Sequence, residues 1–160
     1  MQIRAAEARD YPAIVEILLP VMREGGTYAI DPALRADEAL GYWTSADKES
    51  FVAEDEGGIV GTYYLRPNQA GGGRHVCNCG YVTRAEARGR GVARAMCEHS
   101  LAYAASRGYR AMQFNFVVST NTHAVRLWQA LGFEIVGRIP EAFCHPEHAY
   151  VDAFVMHRFL

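Results

Sequence analysis

The period of the apolar positions changes several times along the chain, and each change marks an element. Gln2–Ala8 reads as a short strand. Asp10 then offers an N-cap and Pro12 sits in a first helical turn, where a missing N–H costs little. Ile14, Ile17, Leu18, Val21 and Met22 follow at helical spacing, with Pro20 expected to bend or end that helix. A loop through Gly25, Gly26, Thr27 and Tyr28 leads to a second helix, expected to start at Asp31-Pro32 and to carry Ala36, Leu40 and Trp43. Phe51–Glu54 and Ile59–Leu65 read as strands around a turn at Asp55–Gly58. Past a glycine-rich connection, Gln69–Arg74, the next strand is His75–Thr83, and a polar loop over Arg84–Arg90 follows. A helix is predicted from Gly91 to Arg107, with Ala93, Cys97, Leu101 and Ala104 as its inward stripe and Gly108 just past its end. Ala111–Val118 is rich in aromatic and β-branched residues and reads as a buried strand. Asn121–Leu131 reads as a helix closed by Gly132, and Phe133–Gly137 and Tyr150–Phe159 as the last strands. The order β-α-α-β-β-β-α-β-α-β-β, with no repeat or linker, suggests one α/β domain over residues 1–160, a sheet covered by helices.

Composition narrows this picture only slightly. The chain has 160 residues, suited to one core, and half of them are hydrophobic. The net charge of −2 gives no global attraction for nucleic acid or anionic lipid. No apolar run approaches the ~20 residues that cross a bilayer. No basic stretch followed by an apolar run opens the chain, so a signal peptide is not expected. Cys77, Cys79, Cys97 and Cys144 are then expected to be reduced thiols in a cytoplasmic protein. Cys77 and Cys79 have no second pair at zinc spacing, and no metal is expected.

The densest chemical signal runs from Tyr81 to Arg94. A strand ends, a loop follows, and a helix opens with Gly89 and Gly91 at its mouth. The first N–H groups of a helix lack internal partners, and the helix dipole adds partial positive charge there. Glycines allow close approach, so the site suits a phosphate or pyrophosphate. Arg88, Arg90 and Arg94 add charge, and Ala93 keeps the surface low. A plain surface loop with solvated arginines is the competing reading. A dinucleotide fingerprint is rejected: Arg94 occupies its third glycine position, and no Asp or Glu lies between His99 and Phe133 to hold a ribose. A nucleic-acid patch is disfavoured, because the arginines are not interleaved with stacking aromatics.

The segment Arg88-Gly89-Arg90-Gly91-Val92-Ala93 resembles the Q/R-x-x-G-x-G/A signature of the GCN5-related N-acetyltransferases (GNAT). A second segment, Asn121 to Phe133 with Ala124, Leu127, Trp128 and Gly132, resembles that family's N-x-x-A-x-x-L-Y-x-x-x-G-F. The resemblance spans essentially the whole chain. It implies an α/β GNAT fold, with a mixed sheet of about seven strands splayed in a V and about four flanking helices. It implies acetyl-CoA as cosubstrate, with the pantetheine along Tyr81, Val82 and Thr83. The pyrophosphate would take N–H groups of Gly89, Gly91, Val92 and Ala93, helped by Arg88 and Arg94, and Asn121 would touch the pantetheine arm. The partner implied is a small-molecule amine, with no nucleic acid and no membrane; a homodimer stays open.

One departure is Trp128, where many members carry a tyrosine proposed to protonate the departing thiolate. An indole N–H donates a hydrogen bond but delivers no proton at neutral pH. Packing against cofactor or core is the favoured role. A closer resemblance, to acetyltransferases of proline analogues, rests on Gln113–Asn121, Leu127-Trp128 and Gly137–Pro140, and matches Asn78 and Asn115 to substrate-holding asparagines. The resemblance implies that the loop carrying Tyr28 roofs the acceptor site, where Tyr28 would shape substrate access; an exposed loop tyrosine is the competing reading. No motif names a catalytic base: His75, Tyr81 and Glu54 are conceivable, and the oxyanion donor is expected near Val82. The functional expectation is acetyl transfer to a small amino or imino acid. The alternatives are another small amine, such as an antibiotic or polyamine, and an acetyl-CoA sensor without turnover.

Overall fold

The computed structural model describes residues 1–160. Seven strands form a single sheet: β1 (Gln2–Ala5), β2 (Glu49–Asp55), β3 (Gly58–Pro67), β4 (Val76–Thr83), β5 (Ala111–Val118), β6 (Glu134–His145) and β7 (Ala149–Phe159). Four α-helices cover it: α1 (Tyr11–Glu24), α2 (Ala36–Trp43), α3 (Val92–Ser106) and α4 (Thr122–Ala130). The sheet order is β1-β2-β3-β4-β5-β7-β6, and every neighbouring pair is antiparallel except β4–β5. None of the helices is long and apolar enough to cross a membrane.

Strand alternation sends side chains to two cores. Ile14, Leu18 and Met22 of α1 and Trp43 of α2 pack on Val52, Tyr64 and Val82. On the opposite face, Met96, Cys97 and Leu101 of α3 pack on Tyr63, Leu65, Cys77 and Cys79, and the cluster extends to Met112, Phe114 and Trp128. A Cβ on Gly61 would lie 2.9 Å from both Val92 and Met96. That bare backbone lets the first turns of α3 lie close over β3.

Several boundaries differ from the expectations above. Pro20 neither ends nor interrupts α1. It lies on the exposed face, so the Glu16 carbonyl deprived of its partner can turn to water, while Ile14, Ile17, Leu18 and Met22 anchor the other face. Asp10 does not cap α1 with its side chain. Its carboxylate accepts from the Glu7 N–H at 2.8 Å and is gripped by two guanidinium nitrogens of Arg4 at 2.6 and 2.9 Å. α2 starts at Ala36 rather than Asp31, because Asp31 closes a turn onto the Ala33 N–H while Glu38 takes the Arg35 N–H at the true helix start. In α3 the inward stripe is Val92, Met96, Cys97, Ser100, Leu101 and Ala104; Ala93 is turned partly toward solvent. β6 runs eight residues past Gly137, to His145. Register shifts against β7 between Ile135 and Gly137 and between Ile139 and Phe143 absorb Pro140 without ending the strand.

Candidate active site

β4 and β5 pair only at Val76–Ala111 and Cys77–Met112 and then part. At the fork, Asn78 Nδ2 donates to the Gln113 carbonyl at 2.9 Å, so a side chain replaces the next rung of the ladder. β5 bulges away from β7 between Phe114 and Val117, which leaves Asn115 and Phe116 without partners across that pair.

The phase of β4 follows from its pairing with β3. Thr62 faces Val82 and Tyr64 faces Gly80, while the flanking bonds Arg84 N–H to Val60 O and Asn68 N–H to Val76 O are both 2.8 Å. Narrow pairs alternate along an antiparallel ladder. Even-numbered residues of β4 therefore turn their main-chain groups to β3, and Cys79, Tyr81 and Thr83 turn theirs into the fork. The oxyanion donor expected near Val82 falls on its two neighbours: the Val82 N–H faces β3, and those of Tyr81 and Thr83 turn toward the fork.

Two cavities open from this fork and share Thr27, Tyr81, Asn121, Ala124 and Trp128. The first, of about 670 Å³, reaches the start of α3. Gly89 and Gly91 stand there at φ of 76° and 80°, a left-handed backbone that glycine adopts without a Cβ penalty. The N–H groups of Gly89, Gly91, Val92, Ala93 and Arg94 have no acceptor within the chain. Arg88 and Arg94 line this cavity. Arg90 does not: it reaches the β2–β3 turn, where it pairs with Asp55 at 2.7 Å. Five orphan donors with two cations beside them make a strong anion site.

The second cavity, of about 480 Å³, lies under the α1–α2 loop. Tyr28, Tyr42, Tyr64 and Phe116 give it aromatic walls, and Asn68, Asn78 and Asn115 give it amides. The Tyr28 hydroxyl donates to the Tyr81 carbonyl at 3.1 Å, tying the roof to β4. Asn115 Nδ2 donates to Asn68 Oδ1 at 2.7 Å, and Asn115 Oδ1 accepts from Gln113 Nε2 at 2.9 Å. Gly80 leaves room for the Tyr64 ring, whose Cε1 would lie 2.6 Å from a Cβ there.

Trp128 is buried where the cavities meet, with ring centroids 5.1 Å from both Tyr81 and Phe114. Asn121 caps α4 by accepting from the Ala124 N–H at 3.3 Å, and it lines both cavities. Burial pushes the phenols of Tyr28, Tyr64 and Tyr81 and the Cys79 thiol upward, so each stays protonated at neutral pH. None of the conceivable bases offers the cleft a free titratable group. His75 is exposed and lines neither cavity. Glu54 is paired with Arg4 at 3.1 Å. The Tyr81 hydroxyl is bonded to Ser100 at 2.7 Å.

The sequence reading missed Tyr42, Tyr64, Arg66, Asn68 and Phe116. Tyr64 and Arg66 were within reach, because alternation from the core residues Tyr63 and Leu65 puts both on the face that carries Asn78.

The parted sheet and the glycine-opened helix beside it define an acyl-CoA-type transferase. A model described as the acetyltransferase (GNAT) family matches residues 11–133. The chain belongs to that family and is an acetyl-CoA-dependent N-acetyltransferase. It is 29% identical over 148 residues to the N-acetyltransferase aca1 of Schizosaccharomyces pombe, covering 82% of this chain and 71% of that one. A GCN5-related N-acetyltransferase from Kribbella flavida is 45% identical, with a TM-score of 0.94, over 99% of this chain and 97% of the other. The phosphinothricin acetyltransferase of Sinorhizobium meliloti in complex with acetyl-CoA shares the fold at 24% identity and a TM-score of 0.86, over 99% and 88%.

Proposed function

We propose that this protein acetylates the amine of a small amino or imino acid in a ternary complex with acetyl-CoA, in the cytoplasm. The observation that carries this reading is the continuity of the two cavities. The anion site at α3 opens through Tyr81, Asn121 and Trp128 into the small aromatic cavity beside Asn78 and Asn115. Acetyl-CoA with its diphosphate on the α3 N–H groups would direct its thioester along Tyr81 and Thr83. The amine lone pair attacks the thioester carbonyl, and the oxyanion is met by a main-chain N–H of β4. The tetrahedral species then collapses, forming the amide and releasing the CoA thiolate. The ammonium proton leaves to solvent, because the cavity offers no base. Much of the rate enhancement is assigned to positioning.

No Asp or Glu lines the aromatic cavity, which disfavours polyamines. The packing of Trp128 favours an inert hydrophobic role over proton delivery, and it also motivates the reading as a sensor without turnover. Calorimetric titration with acetyl-CoA, paired with a free-thiol assay over proline analogues, amino acids, aminoglycosides and polyamines, tests the proposal. Turnover is expected with small amino or imino acids. Binding without turnover on any amine would leave the sensor, and polyamine turnover would reassign the acceptor.

A further inference from the structure

Arg66 is the only side chain lining the aromatic cavity that carries a formal charge. It is the direct cross-strand partner of Asn78. Partners in an antiparallel pair share one face, with Cβ atoms about 5 Å apart. The guanidinium spends part of its capacity locally: Nε donates to the Pro67 carbonyl at 3.2 Å, and Nη1 lies 3.3 Å from Asp47 Oδ2. Nη2 has no partner in the chain. Asp47 is half exposed and also accepts from the Ser45 hydroxyl at 2.6 Å, so it neutralises Arg66 incompletely. A second cation stands close by: the Lys48 ammonium lies 3.6 Å from the Tyr42 ring centroid and 4.6 Å from that of Tyr64, two walls of the same cavity. Arg66, only partly compensated by Asp47, makes this end of the cavity positive.

Asn78 presents complementary chemistry one strand away. Its Nδ2 is committed to the Gln113 carbonyl, and its Oδ1, with no partner, can only accept. We propose that Arg66 takes the carboxylate of the acceptor while Asn78 Oδ1 takes an N–H of its amine, which makes the acceptor an α-amino or α-imino carboxylate. Arg66 and Asn78 share one face and both line the cavity, so a carboxylate and an amine joined by one carbon can reach the two side chains together. Tyr28, Tyr42 and Tyr64 give the substrate's ring or side chain an aromatic wall in the same cavity. A polycation would meet repulsion from Arg66 and Lys48 and find no carboxylate.

This assignment rests on the acyl-transfer reading above, and the test separates the two. Matched pairs of amino or imino acids and their carboxamides, including L-proline and azetidine-2-carboxylate, serve as acceptors for wild type, Arg66→Gln and Arg66→Lys. Wild type is expected to favour the acids over the amides by about 10–100-fold in kcat/KM, the range of a charge-assisted hydrogen bond. Arg66→Gln should erase that preference through KM for the acid, with the KM for acetyl-CoA unmoved, and Arg66→Lys should restore part of it. Equal use of acids and amides by wild type overturns the assignment, as does equal loss of both in Arg66→Gln. Should acetyl-CoA bind while no amine is acetylated, the acyl-transfer reading fails. The CoA-loaded protein then decides Arg66 by calorimetry: acid binding that Arg66→Gln abolishes sustains the carboxylate site, and no acid binding overturns it.

Discussion

Ala93 stands in the first turn of α3, half-buried at the rim of the larger cavity, beside N–H groups that have no acceptor in the chain. A carboxylate in a helical first turn is favourable to the helix by about 0.3–1 kcal/mol. Ala93→Glu should therefore fold at least as well as the parent, yet set a negative charge against the diphosphate. The Kd for acetyl-CoA, read by calorimetry, is expected to rise at least about tenfold with no fall in Tm; an unchanged Kd would remove the diphosphate from this helix start. Gly91 gives a less clear test, because a Cβ at φ 80° adds strain of about 1–2 kcal/mol of its own. Glycines at 89 and 91 were legible in the sequence because left-handed backbone is a local demand. The outward turn of Arg90 was not: its partner, Asp55, lies on a hairpin 35 positions earlier.

The junction of β1 with α1 shows where local rules mislead. Asp before a first-turn proline reads as a cap, but Arg4 and the Glu7 N–H hold the carboxylate instead. Those bonds, Arg4 foremost, keep the Asp10 pKa below the usual carboxylate value of about 4. A depressed carboxylate stabilises the fold fully above its unfolded pKa and loses that contribution as pH falls through the folded one. Asp10→Asn is expected to cost about 1.5–3 kcal/mol at pH 7 in urea unfolding. The gap to wild type should shrink below about pH 4; a gap constant down to pH 2 would show that the charge of Asp10 contributes nothing. The same limitation explains β6, whose Pro140 suggested an end. Pairing with β7 continues past it, and the two register shifts that make this tolerable belong to the pair, not to either strand.

The assembled cleft makes a kinetic prediction. Tyr28, Tyr64, Tyr81 and Cys79 are all shifted upward by burial, and neither His nor carboxylate lines the aromatic cavity. The acid limb of kcat/KM should then report the ammonium of the acceptor. Two acceptors whose amines differ by about one pKa unit should show limbs displaced by about one unit. Coincident limbs would point to a protein base instead. The order of elements, the glycine-opened helix start and the two signature segments were legible because each depends on neighbours within a few positions: helical spacing, glycine, and orphan N–H groups. What the sequence left undetermined was the fork, the phase that turns Tyr81 and Thr83 rather than Val82 toward it, and the facing of Arg66 with Asn78. Arg66 and Asn78 pair across 12 positions and Val76 and Ala111 across 35, and a cavity is bounded by distant segments of the chain, so no local pattern records it.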